Sequence, residues 1–464
     1  MYKELPKLLM YREFEPDSIL VKLSEIIREF DGGEYDKDQL ISRIFAEVHR
    51  ILEISTDYGF DKNLWHDYIA YVLVTSENPF SLTAERAGMK DGSVNEFAKQ
   101  DMMIFNHLFN YNFQKMETKL EINCFSTITN YSSIHKRRQV YNKNVSDKVR
   151  ALSDAIDANL SEMNDKVNAG ELSLEEADAK AAEDTLHLVT DFYKNYGVGM
   201  LGLNTAFRIA EIVPGAAEDK KSVDFCLGNG IKCTPIKNTD KVSLNDLVGY
   251  EVQKQRLREN TESFLAGNPA NNVLLFGDAG TGKSTSIKAL INEYYEDGLR
   301  MIELYKHQMK LLAPVISSIK NRNYRFIIYM DDLSFEENET EYKYLKAVIE
   351  GGLETRPDNV LIYATSNRRN LIRETWNDTN DVELDKHRSD TLQEKLSLVS
   401  RFGVTIPYMR PNKKEYEEIV KSLASRNEDL KLSEEELLEL ANKWSVSHGG
   451  MSGRAAQQLM DSIR

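Results

Sequence analysis

Cysteine is scarce in this chain, with only Cys124, Cys226 and Cys233 among 464 residues. An odd number so thinly spread excludes a disulfide framework. The Cys226–Cys233 spacing, with no second pair, is not a metal knuckle, and reduced thiols of the cytosolic kind are expected. Long apolar runs are also missing: nothing reaches the ~18 uninterrupted apolar residues of a membrane span. The opening Met1-Tyr2-Lys3-Glu4-Leu5-Pro6 has no apolar core of signal-peptide length, so a soluble, cytoplasmic protein is expected. Ten prolines and 24 glycines are too few for collagen-like, mucin-like or wholly disordered chains. Basic excess is absent as well, since 59 Lys and Arg against 74 Asp and Glu leave a net charge of −15. That balance repels nucleic acid and anionic membrane on average, leaving open only a local basic groove.

What is present has the length of about three folding units at ~150 residues each. Residues 1–195 read mainly as helix. Ile19, Leu20, Leu23, Ile26, Ile27 and Phe30 form a stripe of helical period, and Leu40, Ile41, Ile44, Phe45, Val48, Ile51 and Leu52 repeat it beyond Asp31-Gly32-Gly33. Ser173 with Glu176 has capping-box spacing, inside an Asp-, Glu- and Ala-rich stretch that reads as a solvated helical hairpin. Gly197-Val198-Gly199-Met200-Leu201-Gly202 matches a dinucleotide fingerprint by letter. It follows a helical pattern where that fingerprint needs a strand, so it reads as a tight turn between domains. Residues 196–246 read as a linker or small irregular segment. From Leu247 the texture changes. Val273–Phe276, Phe326–Met330, Val360–Ala364 and Val404–Ile406 are apolar runs separated by helical stretches, the pattern of buried parallel strands in an α/β region over 247–409. Residues 410–464 return to helix, with Ser433 and Glu436 as another capping box.

Gly277-Asp278-Ala279-Gly280-Thr281-Gly282-Lys283-Ser284 is a complete G-x-x-x-x-G-K-S, a Walker A motif, between a strand and an apolar-periodic helix. Glycines let the backbone wrap so that several N–H groups face phosphate oxygens, and the helix N-terminus adds partial positive charge. Lys283 would reach the β- and γ-phosphates of ATP and Ser284 would ligate Mg²⁺. Thr285 completes the binding set. The strand Phe326–Met330 ends in Asp331-Asp332. Asp331 is placed to hold Mg²⁺, and Asp332 to polarise an attacking water. The strand Val360–Ala364 ends in Thr365-Ser366-Asn367, where a neutral polar group could orient that water. Asn367 is the first candidate and Thr365 the next. Arg401, just before the fourth apolar run, suits an arginine finger supplied to a neighbour's ATP. Arg454, opening the last helix, suits a phosphate contact within one subunit.

In this order the elements resemble the AAA+ ATPases over about residues 245–464. Asp246-Leu247-Val248-Gly249 resembles the segment that lines the adenine pocket in that class. Five stretches resemble a bacterial AAA+ family catalogued as domain of unknown function 815. They are Asn271 to Gly277, Asp331-Asp332-Leu333-Ser334-Phe335-Glu336, Leu345 to Gly351, Tyr363-Ala364-Thr365-Ser366-Asn367-Arg368-Arg369, and Ser452-Gly453-Arg454-Ala455-Ala456. Glu394 to Leu398, Tyr196 to Gly199 and Leu203 to Arg208 extend the likeness. The resemblance implies a five-stranded parallel core followed by a helical lid. Many members of the class carry Glu where this chain has Asp332, one methylene shorter, which implies hydrolysis that is slow or depends on a neighbouring subunit. The aromatic-apolar-Gly pore loop of threading unfoldases is not evident between Leu304 and Phe326. Tyr305 is the one stand-in there, so protein unfolding is not expected.

No other chemistry competes. The eight histidines form no H-E-x-x-H, and no G-x-S-x-G elbow occurs. His135-Lys136-Arg137-Arg138 beside Tyr131 and Tyr141 reads as a solvated loop, and Trp65, Trp376 and Trp444 as packing anchors. The expectation is a Mg²⁺-dependent AAA+ ATPase that forms homo-oligomers with Arg401 acting in trans. Its helical N-terminal domain would engage a protein partner. The alternatives are a DNA-associated remodeller like initiators or helicase loaders, and a nucleotide-gated binding module with little hydrolysis.

Overall fold

The computed structural model describes all residues except 89–91, 133–142, 213–224, 237–238, 240, 336–338, 351–356, 369–370, 372–397, 427–431 and 464. The basic run at 135–138, Arg369, Trp376, His387 and the matching stretch 394–397 therefore lie outside the described residues. The chain divides into two compact units, Met1–Asn204 and Thr205–Arg464. Among the described residues no helix is long and apolar enough to cross a membrane.

The first unit is helical. The Ser18 hydroxyl caps the helix Ile19–Gly32 by accepting from Val21 N, and Gly33 ends it in the left-handed region at φ +82°. The buried face is Ile19, Leu20, Leu23, Ile26, Ile27 and Phe30, the stripe read from the sequence. Lys143–Asn168 and Leu174–Tyr196 form the expected hairpin, with the Ser173–Glu176 capping box in place. It is less solvated than its composition suggests, because Val149, Ile156, Leu160, Ala181, Ala182 and Leu186 are buried. Small alanines permit close packing there while the acidic residues face outward. Buried Asp101 fixes the N-terminal segment by accepting from the N–H groups of Leu9, Met10 and Tyr11. The segment Gly197–Gly202 follows a helix, with Gly197 at φ +83°, and so lacks the strand that a dinucleotide site needs.

Among the described residues the second unit is built on one sheet of eight strands, where the resemblance implied five. They are β1 Ala206–Glu211, β2 Phe225–Gly228, β3 Ile231–Pro235, β4 Val273–Gly277, β5 Leu299–Glu303, β6 Arg325–Met330, β7 Val360–Ser366 and β8 Val404–Tyr408, in the order β2-β3-β1-β5-β6-β7-β4-β8. From β1 to β8 all neighbours are parallel, while β3 and β2 add an antiparallel hairpin at one edge. Residues 196–246, read as linker or irregular, thus contain three strands. Short strands show weak periodicity, and these gain their hydrogen bonds only from distant partners. The turn between β2 and β3 is Asn229-Gly230, with φ +54° and +72°, as a tight hairpin with right-handed twist requires. Strand β5 hides behind a charge: Arg300 is buried, donates to the Tyr295 and Leu299 carbonyls and lies over the rings of Tyr295 and Tyr324.

The helix Lys283–Tyr294 covers one sheet face through Ile287, Leu290 and Ile291, packed on Val273, Leu275, Met301, Ile327, Tyr329, Tyr363 and Tyr408. Burying each such side chain stabilises by about 1.5–3 kcal/mol. The helices Lys413–Ala424, Glu434–Ser447 and Gly453–Ser462 form a separate cluster around Tyr416, Val420, Leu437, Ala441 and Leu459.

Candidate functional site

The parallel strands β4, β6 and β7 end at the same edge of the sheet, and the G-x-x-x-x-G-K-S residues leave from β4. Backbone geometry explains the glycines. Gly277 has φ +136°, and a Cβ there would stand 2.0 Å from the Tyr408 carbonyl oxygen. Gly282 has φ +92°, and its Cβ would stand 2.3 Å from Leu247 Cδ2. Glycine at 282 therefore both turns the chain into the helix and leaves room for Leu247.

Lys283 is 6% exposed. Its ammonium donates to the carbonyls of Gly277 (3.0 Å) and Asp278 (2.6 Å) and to Asn367 Oδ1 (3.0 Å). Burial pulls its pKa below the ordinary lysine value, against the opposing charges of Asp278, Asp332 and Asp331. The Ser284 hydroxyl donates to Asp331 Oδ1 at 2.6 Å, and the Thr365 hydroxyl donates to the same oxygen at 2.6 Å. Burial alone would push the Asp331 carboxyl up. Hydrogen bonds from Ser284, Thr365 and Tyr329, with the Lys288 cation nearby, outweigh it and hold the pKa below the ordinary carboxylate value.

Thr365 does more: its oxygen accepts from Asp332 N at 2.9 Å, tying both acidic residues to the end of β7. Asp332 has φ +50°, in the left-handed region that Asp tolerates better than most residues. Its Oδ1 accepts from Asn367 Nδ2 at 2.8 Å. One amide therefore bridges Lys283 and Asp332.

These groups line a cavity of about 830 Å³. Ala279, Gly280, Thr281, Gly282, Lys283, Ser284, Thr285, Asp331, Asp332, Asn367, Arg454, Leu247 and Val248 all reach it, and so does the second candidate, Thr365. Among the other sequence candidates, Gly277 and Asp278 act through their carbonyls on Lys283, and Gly249 supplies a turn at φ +80°. Arg454 N donates to the Gly280 carbonyl at 3.3 Å, so the helix Gly453–Ser462 begins at the loop. Arg401 stands apart. It precedes β8, whose first residue pairs with Val273 at the far end of β4 from the loop, and Arg401 Nη1 pairs with Glu350 Oε1 at 2.5 Å. Sequence reasoning missed Tyr250, Ile419, Leu423, Arg426, Gln457 and Gln458. Ile419 and Leu423 are four apart on an amphipathic helix, as are Arg454 and Gln458, and that spacing was the available signal. Arg426 Nη1 lies 3.5 Å from Asp246 Oδ1.

The donor set fits Mg²⁺ with a nucleoside triphosphate. Ser284 and Asp331 offer one hydroxyl and one carboxylate, the hard oxygen ligands that Mg²⁺ takes alongside phosphates and water. Lys283 and the two helix N-termini suit phosphates, and Leu247, Val248, Ile419 and Leu423 suit the face of a base.

The family model described as Protein of unknown function (DUF815) matches residues 222–464, just over half of the chain. Curated relatives include replication factor C large subunits. One, from Methanococcus vannielii, is 36% identical over 76 residues, covering 16% of this chain and 15% of that protein. Another, from Methanococcus maripaludis strain C6, is 23% identical over 214 residues, covering 44% and 41%. The chain thus spans less than half the length of these relatives. The match over more than half of its length shows that this chain belongs to the family described as Protein of unknown function (DUF815).

Proposed function

We propose that the chain is an AAA+ ATPase that binds and hydrolyses Mg²⁺-ATP to drive conformational change or assembly on a partner. The observation that carries this reading is the convergence of Lys283, Ser284–Asp331 and Asn367–Asp332 at one cavity mouth. The sheet order β5-β6-β7-β4-β8, with three helices following, fits the core and lid of that class. The similarity to replication factor C large subunits supports it at the level of family.

In this reading Lys283 exchanges its carbonyl contacts for phosphate oxygens, a charge-assisted replacement that strengthens in a desolvated site. Mg²⁺ held by Ser284 and Asp331 would neutralise charge on the phosphates. Thr365 keeps Asp331 ionised and oriented. Asp332 accepts a proton from the attacking water, and the Asn367 amide holds that carboxylate in place. Leu247, Val248, Ile419 and Leu423 enclose the base, and Arg454 contacts the phosphates. Arg401 pairs with Glu350 and is not among the residues lining its own cavity; in this reading it acts in trans, across the interface of a homo-oligomer. The helical unit Met1–Asn204 engages a protein partner.

Steady phosphate release from ATP, abolished in Lys283→Ala and in Asp331→Asn, tests the reading, and an undiminished rate in either variant refutes it. Mixing Lys283→Ala with Arg401→Ala subunits should restore turnover at hybrid interfaces. No recovery beyond either variant alone counts against a finger in trans. A DNA-associated remodeller is the second reading, favoured by the similarity to proteins named for replication and opposed by the net charge of −15. It predicts DNA-stimulated turnover that weakens steeply with salt.

A further inference from the structure

Every polar group of Asp278, the second residue of the G-x-x-x-x-G-K-S stretch, is engaged. Its N–H donates to the Tyr408 carbonyl at 3.0 Å, and its carbonyl accepts from the Lys283 ammonium at 2.6 Å. Its carboxylate Oδ2 accepts from Arg410 N at 2.9 Å, and Arg410 Nε lies 3.7 Å from Oδ1. Asp278 is not among the residues that line the nucleotide cavity, whereas Ala279 to Thr285 line it. The carboxylate therefore serves the chain that leaves β8, not the ligand directly.

That chain, Met409-Arg410-Pro411, crosses from Tyr408 at the end of β8 to Asn412, the cap of the helix Lys413–Ala424. Pro411 has no N–H, so the Arg410 amide is the one backbone donor between Met409 and Asn412. The Met409 carbonyl accepts from the Tyr250 hydroxyl at 2.8 Å. The Arg410 side chain reaches the far end of the helical cluster: a Cβ on Gly450 would stand 2.9 Å from its Nη1. There the phosphate loop touches the cluster again, since a Cβ on Gly280 would stand 3.1 Å from Ser452 Oγ and 3.2 Å from Arg454 Cβ. The three C-terminal helices thus rest on the loop at their entry and at their last turn. From that position they supply Ile419, Leu423 and Arg454 to the cavity wall.

The geometry points to Asp278 as a positioning residue: its carboxylate holds the crossing against the phosphate loop and so keeps Ile419, Leu423 and Arg454 closed over bound nucleotide. This role rests on the reading of the cavity as an ATP site. The hold comes from the charge-assisted bond to a backbone N–H; the ion pair adds little, because both side chains are half-exposed. It also answers to phosphate. A phosphate that takes Lys283 withdraws the ammonium from the Asp278 carbonyl, on the same residue whose carboxylate holds Arg410. By linkage, bound nucleotide and the docked helices favour each other by one factor. The Asp278 charge has a second effect, opposing the burial that lowers the Lys283 pKa. Asparagine separates the two, since it keeps an oxygen for Arg410 N and loses the charge.

The test follows release of fluorescent ADP with Mg²⁺ from the full chain. Asp278→Ala should release it about tenfold faster, as the loss of one charge-assisted hydrogen bond dictates, and Asp278→Asn should stay within about twofold of the native chain. Native release from Asp278→Ala overturns the role. Equal acceleration in both variants also overturns it, and assigns the effect to the charge acting on Lys283. A second arm needs no nucleotide and reads hydrogen exchange at the Arg410 amide. Exchange should be about tenfold faster in Asp278→Ala and near native in Asp278→Asn; unchanged exchange in Asp278→Ala overturns the hold. Melting curves like that of the native chain show that both variants fold. If the native chain binds no nucleotide, the ATPase reading fails, while exchange at Arg410 still decides whether Asp278 holds the crossing.

Discussion

Thr365→Val isolates the hydroxyl that ties the two acidic residues to β7. Valine matches threonine in shape, and the side chain is 1% exposed, so packing is retained while two hydrogen bonds vanish. One is the 2.6 Å bond to Asp331 Oδ1, charge-assisted but partly solvent-screened. The other is the 2.9 Å bond from Asp332 N, which is left without its acceptor. At about 1 kcal/mol each, the loss is about 2 kcal/mol at neutral pH. For a unit of this size that lowers the melting temperature by about 4–8 °C. The pH dependence separates this cause from lost packing. Asp331 has a depressed pKa, so its contribution is present above the unfolded value near 3.9 and is lost as pH falls through the folded value. Removing a hydrogen bond to the carboxylate raises the folded pKa in the variant. The part of the deficit that belongs to Asp331 should be full at pH 7, begin to shrink as pH falls through the variant's pKa, and vanish below the native one. Calorimetric melting from pH 7 to pH 3.5 measures it, and the Asp331 carboxyl shift in NMR gives the pKa directly. A deficit independent of pH, or an unmoved Asp331 pKa, would refute the reasoning.

Three further outcomes are expected. Asn367→Ala removes the amide that bridges Lys283 and Asp332, so turnover should fall about 10²-fold, with nucleotide affinity, read by fluorescent ADP, changed far less. A parallel loss of affinity would show that the amide acts in binding. Gly282→Ala places a methyl 2.3 Å from Leu247 Cδ2 at φ +92°; strain of about 1–2 kcal/mol should weaken nucleotide binding about tenfold, and native affinity in a titration would contradict the steric account. In the helical unit, burial raises the Asp67 carboxyl to about 6. Asp67→Asn should therefore stabilise that unit at pH 8, by about 1–2 kcal/mol, and have little effect at pH 4, where the native carboxyl is already neutral; urea unfolding at the two pH values decides, and a uniform effect would count against it.

The legibility of this chain follows the range of each interaction. Ser18 and Ser173 cap helices through partners three residues away, so those starts could be read directly. The Asn229-Gly230 turn was equally local, yet its hairpin is hard to read because β2 and β3 are short and β1, to which β3 pairs, lies across 12 undescribed residues. Buried Arg300 masked β5, since a guanidinium in a strand reads as solvent-facing until Tyr295 and Tyr324 are seen to enclose it.

At the site the same division holds. The G-x-x-x-x-G-K-S stretch is a local device, eight consecutive residues whose glycines and helix start could be recognised without any tertiary contact. Asp331, Asp332 and Asn367 could be proposed because each ends an apolar run. Their connections could not, since Ser284 meets Asp331 across 47 positions and Lys283 meets Asn367 across 84. Only the order of the parallel strands sets β6 and β7 beside β4 and brings those side chains within hydrogen-bond distance. That packing made Thr365 the residue that joins both carboxylates and left Arg401 paired with Glu350.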